Sequence, residues 1–459
     1  MKLNKKTFNI SLLLVVTILI VSVFLIKNNS KVLSSKKEET KFPNTLSIMV
    51  ETGIGTGIYE VSESSGWPEG YIFNESLSRC ENGSKLSWDS TNNKVVLTGN
   101  ASDKCYVYFN LPYYIDEVCS SGTNLATCIS NFYDATGEGS VGLYKHDGLG
   151  TYGEYEAGDN SIRYSGANPN NFVCFGNGAT TNDVCPNDNL YRIIGTFVDN
   201  NTTRVKLIKY DYANSDLLGT ESASGVGEYN SSTFSGVATY KGNKESVNRY
   251  YWNKASVSYT CDNESSCSLT NIWKDSKLNT LHLNTNYLNN IGSTWANKID
   301  LTTWKVGGGD DNSIKNAKIK TTYTNEITNT GTTGRYLVSA QKIYYSDTAP
   351  TSKIGLMYIS DYGYATDPTI WNTYNLGEYT ITNNVTPLNW MYMGLNEWAI
   401  TRQSGSLTGM FAVYATGNAY TGNASGNFFY AVRPVFYLVS NTTINGQHKG
   451  TIGDPIRIN

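Results

Sequence analysis

LYRIIGTFVDNNTTRVKLIKY, residues 190–210, is the stretch whose reading decides the fold. Two runs rich in β-branched and aromatic residues, Leu190 to Val198 and Arg204 to Tyr210, flank the turn-forming triplet Asp199-Asn200-Asn201, and this pattern predicts a β-hairpin. A loop-rich stretch follows as far as Trp252. Leu278, Leu281, Tyr287, Leu288 and Ile291 then recur at helical spacing, which predicts a helix near residues 275–291. The runs KIGLMYIS, EWAIT, GMFAVYA, FFYAVRPVFYLV and DPIRI return to strand character. Helices set between hairpins, with first and last strands able to pair near the two ends, make residues 137–459 one large mixed α+β domain.

Toward the N-terminus the patterning changes twice. Ile115, Val118, Leu125, Ile129, Phe132 and Tyr133 predict one or two short helices in a connector spanning residues 111–136. Before it, residues 42–110 hold the short alternating runs LSIMVE, GIYEV, GYIF, KLSW, KVVLTG and CYVYF, broken by Gly, Asn and Ser. That spacing predicts a small antiparallel β module, with Asp89 to Asn93 as a turn. GIGTG at 53–57 has no helix after it, so it reads as a hairpin turn and not as a nucleotide loop.

Residues 8–26, FNISLLLVVTILIVSVFLI, are nineteen uncharged positions. As a helix they would span roughly 28 Å, close to the ~30 Å hydrocarbon core of a bilayer. The run follows Lys2, Lys5 and Lys6, and it is read as an uncleaved transmembrane signal-anchor behind a cytoplasmic stub, residues 1–26 in all. A cleaved signal peptide is the alternative, with Val32 and Ser34 as the nearest tolerable cleavage pair. Residues 27–41 form a lysine-rich polar stalk. The lysines on both sides of the run leave orientation to the cysteines.

The eight cysteines, at 80, 105, 119, 128, 174, 185, 261 and 267, all lie beyond the apolar run. No CxxC occurs, and His146, His282 and His448 are scattered, so disulfides in an exported, extracellular chain are a better reading than metal ligation or cytosolic redox chemistry. Pairing by proximity joins Cys80 to Cys105, Cys119 to Cys128, Cys174 to Cys185 and Cys261 to Cys267; reduced, buried thiols are the alternative. The formal charge is −3 and only 16% of residues are charged, with no basic stripe to offer nucleic acid.

The motifs NLYRIIGTF, LNTNYLN, TTWKVGG, GLMYISDYGYAT, NWMYMG before EWAI, and AVRPVFYL ending in DPIRI fall in order across residues 137–459. In this the chain resembles an uncharacterised extracellular domain, a domain of unknown function found in surface proteins of gut-dwelling Gram-positive bacteria. CENGSKLSWD through DKCYVYF resembles a small β module found beside it. A helix-containing domain closing on a strand like AVRPVFYL is also similar to C-type-lectin-like folds, including those of formylglycine-generating enzymes. The resemblance implies surface display and carries no established activity, so it assigns no functional residue.

Candidate chemistry rests on the residues themselves. No GxSxG elbow appears, and the three histidines have no motif around them. No cysteine pair lies beyond Cys267 to carry copper chemistry. The triplets with which C-type lectins hold calcium are absent; Asn168-Pro169-Asn170 comes closest and lacks the carboxylate. Asp147, Glu154, Glu156 and Asp159, set among glycines in HDGLGTYGEYEAGDN, are candidate oxygen ligands for calcium, with a solvated loop as the alternative. Trp371, Trp390, Tyr392 and Trp398 lie near predicted loops, where rings could stack on sugars or anchor a protein, or else fill a core. Arg433, on an apolar strand, calls for an internal carboxylate such as Asp361, with contact to a ligand's carboxylate or to a sugar as the alternative. The expected function is adhesion or recognition of a glycan or protein at the cell surface, with a cell-wall or glycan hydrolase and a structural surface-layer role as rivals.

Overall fold

The computed structural model describes the chain from residue 45 onward, except 54–56, 64–65, 90–91, 93, 100–101, 178–183, 200, 221–225, 230–239, 254–256, 262–263, 270, 307, 329–350, 405, 407 and 425–427. The expected signal-anchor at 8–26 and the expected stalk at 27–41 lie outside the described residues. Among the described residues no helix is long and apolar enough to cross a membrane. The chain divides into two compact units, one ending at Pro112 and one running from Tyr113 to Asn459. Strand outweighs helix, and the class is mixed α+β.

In the first unit, strands Tyr59–Val61, Thr45–Glu51, Lys104–Asn110 and Ile72–Cys80 form a four-stranded sheet in that spatial order. The expectation of a wholly antiparallel module is corrected at one place: Thr45–Glu51 and Lys104–Asn110 pair in parallel. A parallel pair needs a long crossover, and the two strands and the hairpin between residues 51 and 104 supply it. Lys85–Asp89 and Lys94–Thr98 make the separate hairpin read from the sequence, closed by Asn92 N donating to Asp89 Oδ1 at 3.1 Å. Alternation sorts the last strand: Cys105, Val107 and Phe109 are buried against Leu86, Ile48, Val50, Trp67, Phe73 and Trp88, while Tyr106 and Tyr108 face the other way. The Cys80–Cys105 disulfide ties two adjacent strands, closing a loop of 25 residues, worth roughly 3 kcal/mol in the chain-entropy model.

The hairpin at 190–210 is the centre of the second unit. Leu190–Asp199 and Thr202–Lys209 pair antiparallel around Asn201, which adopts the left-handed φ of 63° that the turn requires. The sheet grows outward in the order Ile354–Gly355, Val435–Tyr437, Thr202–Lys209, Leu190–Asp199, Ile162–Tyr164 and Leu143–Lys145, with Phe172–Cys174 also on Leu190–Asp199. Both faces of the hairpin are covered, so even its cations are buried: Arg192, Arg204, Lys206 and Lys209.

The connector helix Leu125–Thr136 packs in the core of this unit through Leu125, Cys128, Ile129 and Phe132. Asn124 caps it, accepting from Thr127 N at 3.1 Å, and the Cys119–Cys128 disulfide clamps its first turn. The helix expected near 275–291 runs from Leu278 to Tyr287 with π-type geometry and continues through Leu288–Asn290. KIGLMYIS is not one strand. Only Ile354–Gly355 extends, because Asp361 Oδ2 accepts from Tyr358 N at 2.9 Å and starts the helix Ile359–Tyr364. FFYAVRPVFYLV divides into Phe429–Tyr430 and Val435–Tyr437 on either side of Pro434. The C-terminus returns to the start of the unit, with Thr443 bridging Asn124 and Ile456 bridging Val173.

Cys174–Cys185 forms as expected. Cys261 and Cys267 lie on the paired strands Val257–Cys261 and Glu264–Leu269, and their side chains are outside the described residues.

A Cβ added at Gly195, where the ladder shifts register, would meet Ile162 O at 2.3 Å and Arg163 Cα at 2.9 Å. Gly195→Ala is therefore expected to lower stability by at least about 2 kcal/mol in urea unfolding, whereas Gly453→Ala, with open space around its Cβ, should stay within about 0.5 kcal/mol.

Candidate functional site

Folding takes the four candidate stacking rings out of reach. Trp371, Trp390, Tyr392 and Trp398 are all buried, which corrects their expected place at a binding surface. Their polar ends are largely consumed internally: Trp390 Nε1 donates to Tyr164 O at 2.8 Å, Trp398 Nε1 to Tyr250 O at 2.7 Å, and the Tyr392 hydroxyl to Ala415 O. Trp371 packs against Tyr144, His146, Tyr152 and Tyr364. A domain of this size fills its interior with its largest apolar groups, and a ring near a loop in sequence is not thereby near solvent.

The acidic loop is likewise not a ligand cage. Asp147 pairs with Lys145 at 3.1 Å and caps Leu149 N. Glu154 is exposed. Asp159 holds Arg163 at 2.6 Å and also accepts from Ser161 and the Tyr323 hydroxyl. Burial opposes ionisation of Asp159, but Arg163, Ser161 and Tyr323 outweigh it and keep the carboxyl well below the usual range. Among the described residues the one grouping of three ligand atoms within 4.8 Å is Cys80, Asp103 and Cys105. Those two cysteines are bonded to each other. The expected convergence of Asp147, Glu154, Glu156 and Asp159 on a cation is corrected accordingly, because neighbouring cations and backbone amides claim the carboxylates separately.

Glu156 is the exception within that loop. Its Oε2 accepts from Gly148 N at 2.9 Å, its Oε1 is buried without a partner, and burial, reinforced by the charges of Glu138 and Asp147, pushes it up to about 7. His146 beside it in sequence is also fully buried, accepting from Ala157 N through Nδ1, and burial keeps it neutral. His282 is tied to Leu218 O and His448 to Asp454, so the three histidines have separate partners.

Two further assignments change partners. Arg433 does find an internal carboxylate, but it is Glu397, held at 2.7 Å through Nε and 2.8 Å through Nη2, and not Asp361. The reason is a parallel bridge between Glu397 and Ala431, which brings the two segments side by side. Asn168-Pro169-Asn170 serves as a cradle for a cation of the chain itself. Arg192, sandwiched between Phe172 and Trp390, donates to Pro169 O at 2.8 Å and to Asn171 Oδ1 at 2.6 Å.

An open aromatic surface lies on the small β module, among residues the sequence did not single out. On the face opposite its core, Tyr59 and Tyr108 meet edge to face with centroids 4.9 Å apart. The exposed Arg79 lies 5.4 Å over Tyr108 and 5.6 Å over Tyr106, and Lys104 lies 5.2 Å over Tyr106. Met49 pairs with Tyr108 and with the exposed Val61 across neighbouring strands, extending the surface. Tyr59 is oriented by donating to Asn110 Oδ1 at 2.8 Å, an atom that also accepts from Asn74. The tyrosine rings are half-buried, rigid on a sheet and flanked by cations. The signal was present in CYVYF, whose alternation buries Cys105, Val107 and Phe109 and turns both tyrosines outward.

Comparison with protein-family models, with curated proteins and with solved structures finds no match for this chain.

Two outcomes test these electrostatics. Arg433→Met strands Glu397 and is expected to cost about 3–5 kcal/mol in denaturant unfolding. Glu156 takes its proton near 4.5 when unfolded and near 7 when folded, so its ionisation erodes stability as pH rises through that interval. Glu156→Gln should therefore gain on wild type steadily from about pH 4.5 to about pH 7 in unfolding midpoint; a constant difference would contradict the assignment.

Proposed function

We propose that this chain is an exported cell-surface protein, anchored by a single transmembrane helix at residues 8–26, that recognises glycans outside the cell. The observation that carries the recognition reading is the outward tyrosine face of the β module, where Tyr59, Tyr106 and Tyr108 lie beside Arg79 and Lys104. Flat rings fixed on a sheet stack on the apolar faces of sugar rings at little entropic cost, and the guanidinium adds planar donors for hydroxyl or carboxylate oxygens. The disulfides support an oxidising, extracellular setting. In this reading the aromatic contact lies in the β module, and the second unit is a C-type-lectin-like α+β domain. A hydrolase would need two carboxylates facing substrate, and the two carboxyls raised to about 7, Glu156 and Glu326, are both buried, which disfavours that alternative.

The test is binding of the full chain, in detergent micelles, to arrays of host and cell-wall glycans. Specific binding is expected, falling about tenfold for Tyr108→Ala and for Arg79→Ala, with Tyr108→Phe close to wild type. Binding that survives both alanine substitutions would remove the tyrosine face from the function. A folded chain that binds no glycan would sink the reading.

A further inference from the structure

Lys206 sits on the central hairpin with no route to water. It is 1% exposed, and its Nζ lies 2.5 Å from Asp361 Oδ2, itself on a residue 3% exposed. Aromatic rings wall the pair in: Tyr358 at 4.6 Å from the nitrogen, Phe197 at 5.3 Å, Tyr437 at 5.4 Å and Trp304 at 5.9 Å. A third ionisable group, Glu326, enters from the helix Ile319–Thr328 and is 2% exposed. Its two oxygens accept from the backbone amides of Ile359 at 3.0 Å and Ser360 at 3.1 Å, and from the Thr401 hydroxyl. Those amides open the helix Ile359–Tyr364 that carries Asp361, so the Glu326 and Asp361 carboxyls share one helix end, and the Glu326 charge acts on Lys206.

As an ion pair this arrangement is costly, because two charges are stripped of water in an aromatic box. The chemistry of the three groups offers another outcome. Burial lowers the Lys206 ammonium, favouring the free amine, although Asp361 opposes the shift. Burial, with Asp361 adding to it, pushes Glu326 up to about 7, so that near neutrality it can both hold and release a proton.

We propose that Lys206 and Asp361 become joined by an intramolecular amide bond, with Glu326 as the residue that moves the protons. The Lys206 amine attacks Cγ of the Asp361 carboxyl. The new C–N bond forms as the bond from Cγ to the hydroxyl oxygen breaks. Glu326 takes a proton from the nitrogen and returns one to the departing hydroxyl, which leaves as water. An ammonium and a carboxylate are converted to an amide and water, and no oxidant or co-reactant is required. The bond would fasten the central hairpin to a helix 155 residues further along the chain, an attachment independent of the disulfides.

Tryptic mapping of the full chain, reduced and alkylated so that disulfides play no part, decides the matter. Expected is a branched species joining Val205–Lys209 to the peptide Ile354–Arg402, one water lighter than the two peptides together, with no cleavage after Lys206. Separate peptides at full mass from the wild-type protein would overturn the bond. Lys206→Met and Asp361→Ala should each abolish the branched species. Glu326→Gln should abolish it while both reactive groups remain; a branched species formed undiminished in that variant would overturn the role of Glu326.

Discussion

A buried charge must find a partner inside the protein, and the second unit is arranged around that demand. The central hairpin brings Arg192, Arg204, Lys206 and Lys209 into a sheet covered on both faces. Each is answered by groups elsewhere in the chain: Arg192 by Asn171 and Pro169, Arg204 by Asp199 and Asp300, Lys206 by Asp361, and Lys209 by the Asp188 carbonyl. Arg163 with Asp159 and Arg433 with Glu397 extend the same scheme to the flanking strands. Leaving any one of these cations unpaired would cost several kcal/mol, so loops and helices around the sheet are held in register by electrostatics as well as by packing.

Aromatic residues complete the enclosure. Guanidinium and ammonium groups lie over rings throughout this interior, as Arg163 does over Phe197, Tyr323 and Tyr364. Rings serve two purposes here, filling volume and offering a negative face to a cation that water no longer reaches. A tyrosine-rich composition is therefore compatible with a dry interior, while in the small module the four-stranded sheet buries one face and leaves tyrosines on the other. Tyr106 and Tyr108 are outward there because their neighbours Cys105, Val107 and Phe109 have taken the inner face.

The lysine, aspartate and glutamate at the helix start near Ile359 link this polar scheme to covalent chemistry. Water exclusion, which makes the pair expensive as ions, is also what brings amine and carboxyl together in reactive form. The same geometry thus serves stability or bond formation according to where the protons reside.

What the sequence determined by itself was local. Alternation and turn residues placed the hairpin at 190–210, the strands of the small module and the helix near Leu278, and proximity named the cysteine partners 80 with 105, 119 with 128 and 174 with 185. These features depend on neighbours a few residues apart, or on short loops whose closure costs little entropy. Tertiary structure decided the rest. That Trp371 and Trp398 are core, that Arg433 takes Glu397 while Asp361 goes to Lys206, and that Asp147, Glu156 and Asp159 serve different partners all depend on which distant segments the chain lays side by side. Each of those side chains had several partners of suitable charge or size in the sequence. Only the path of the backbone, set by burying the hairpin on both faces, selected among them.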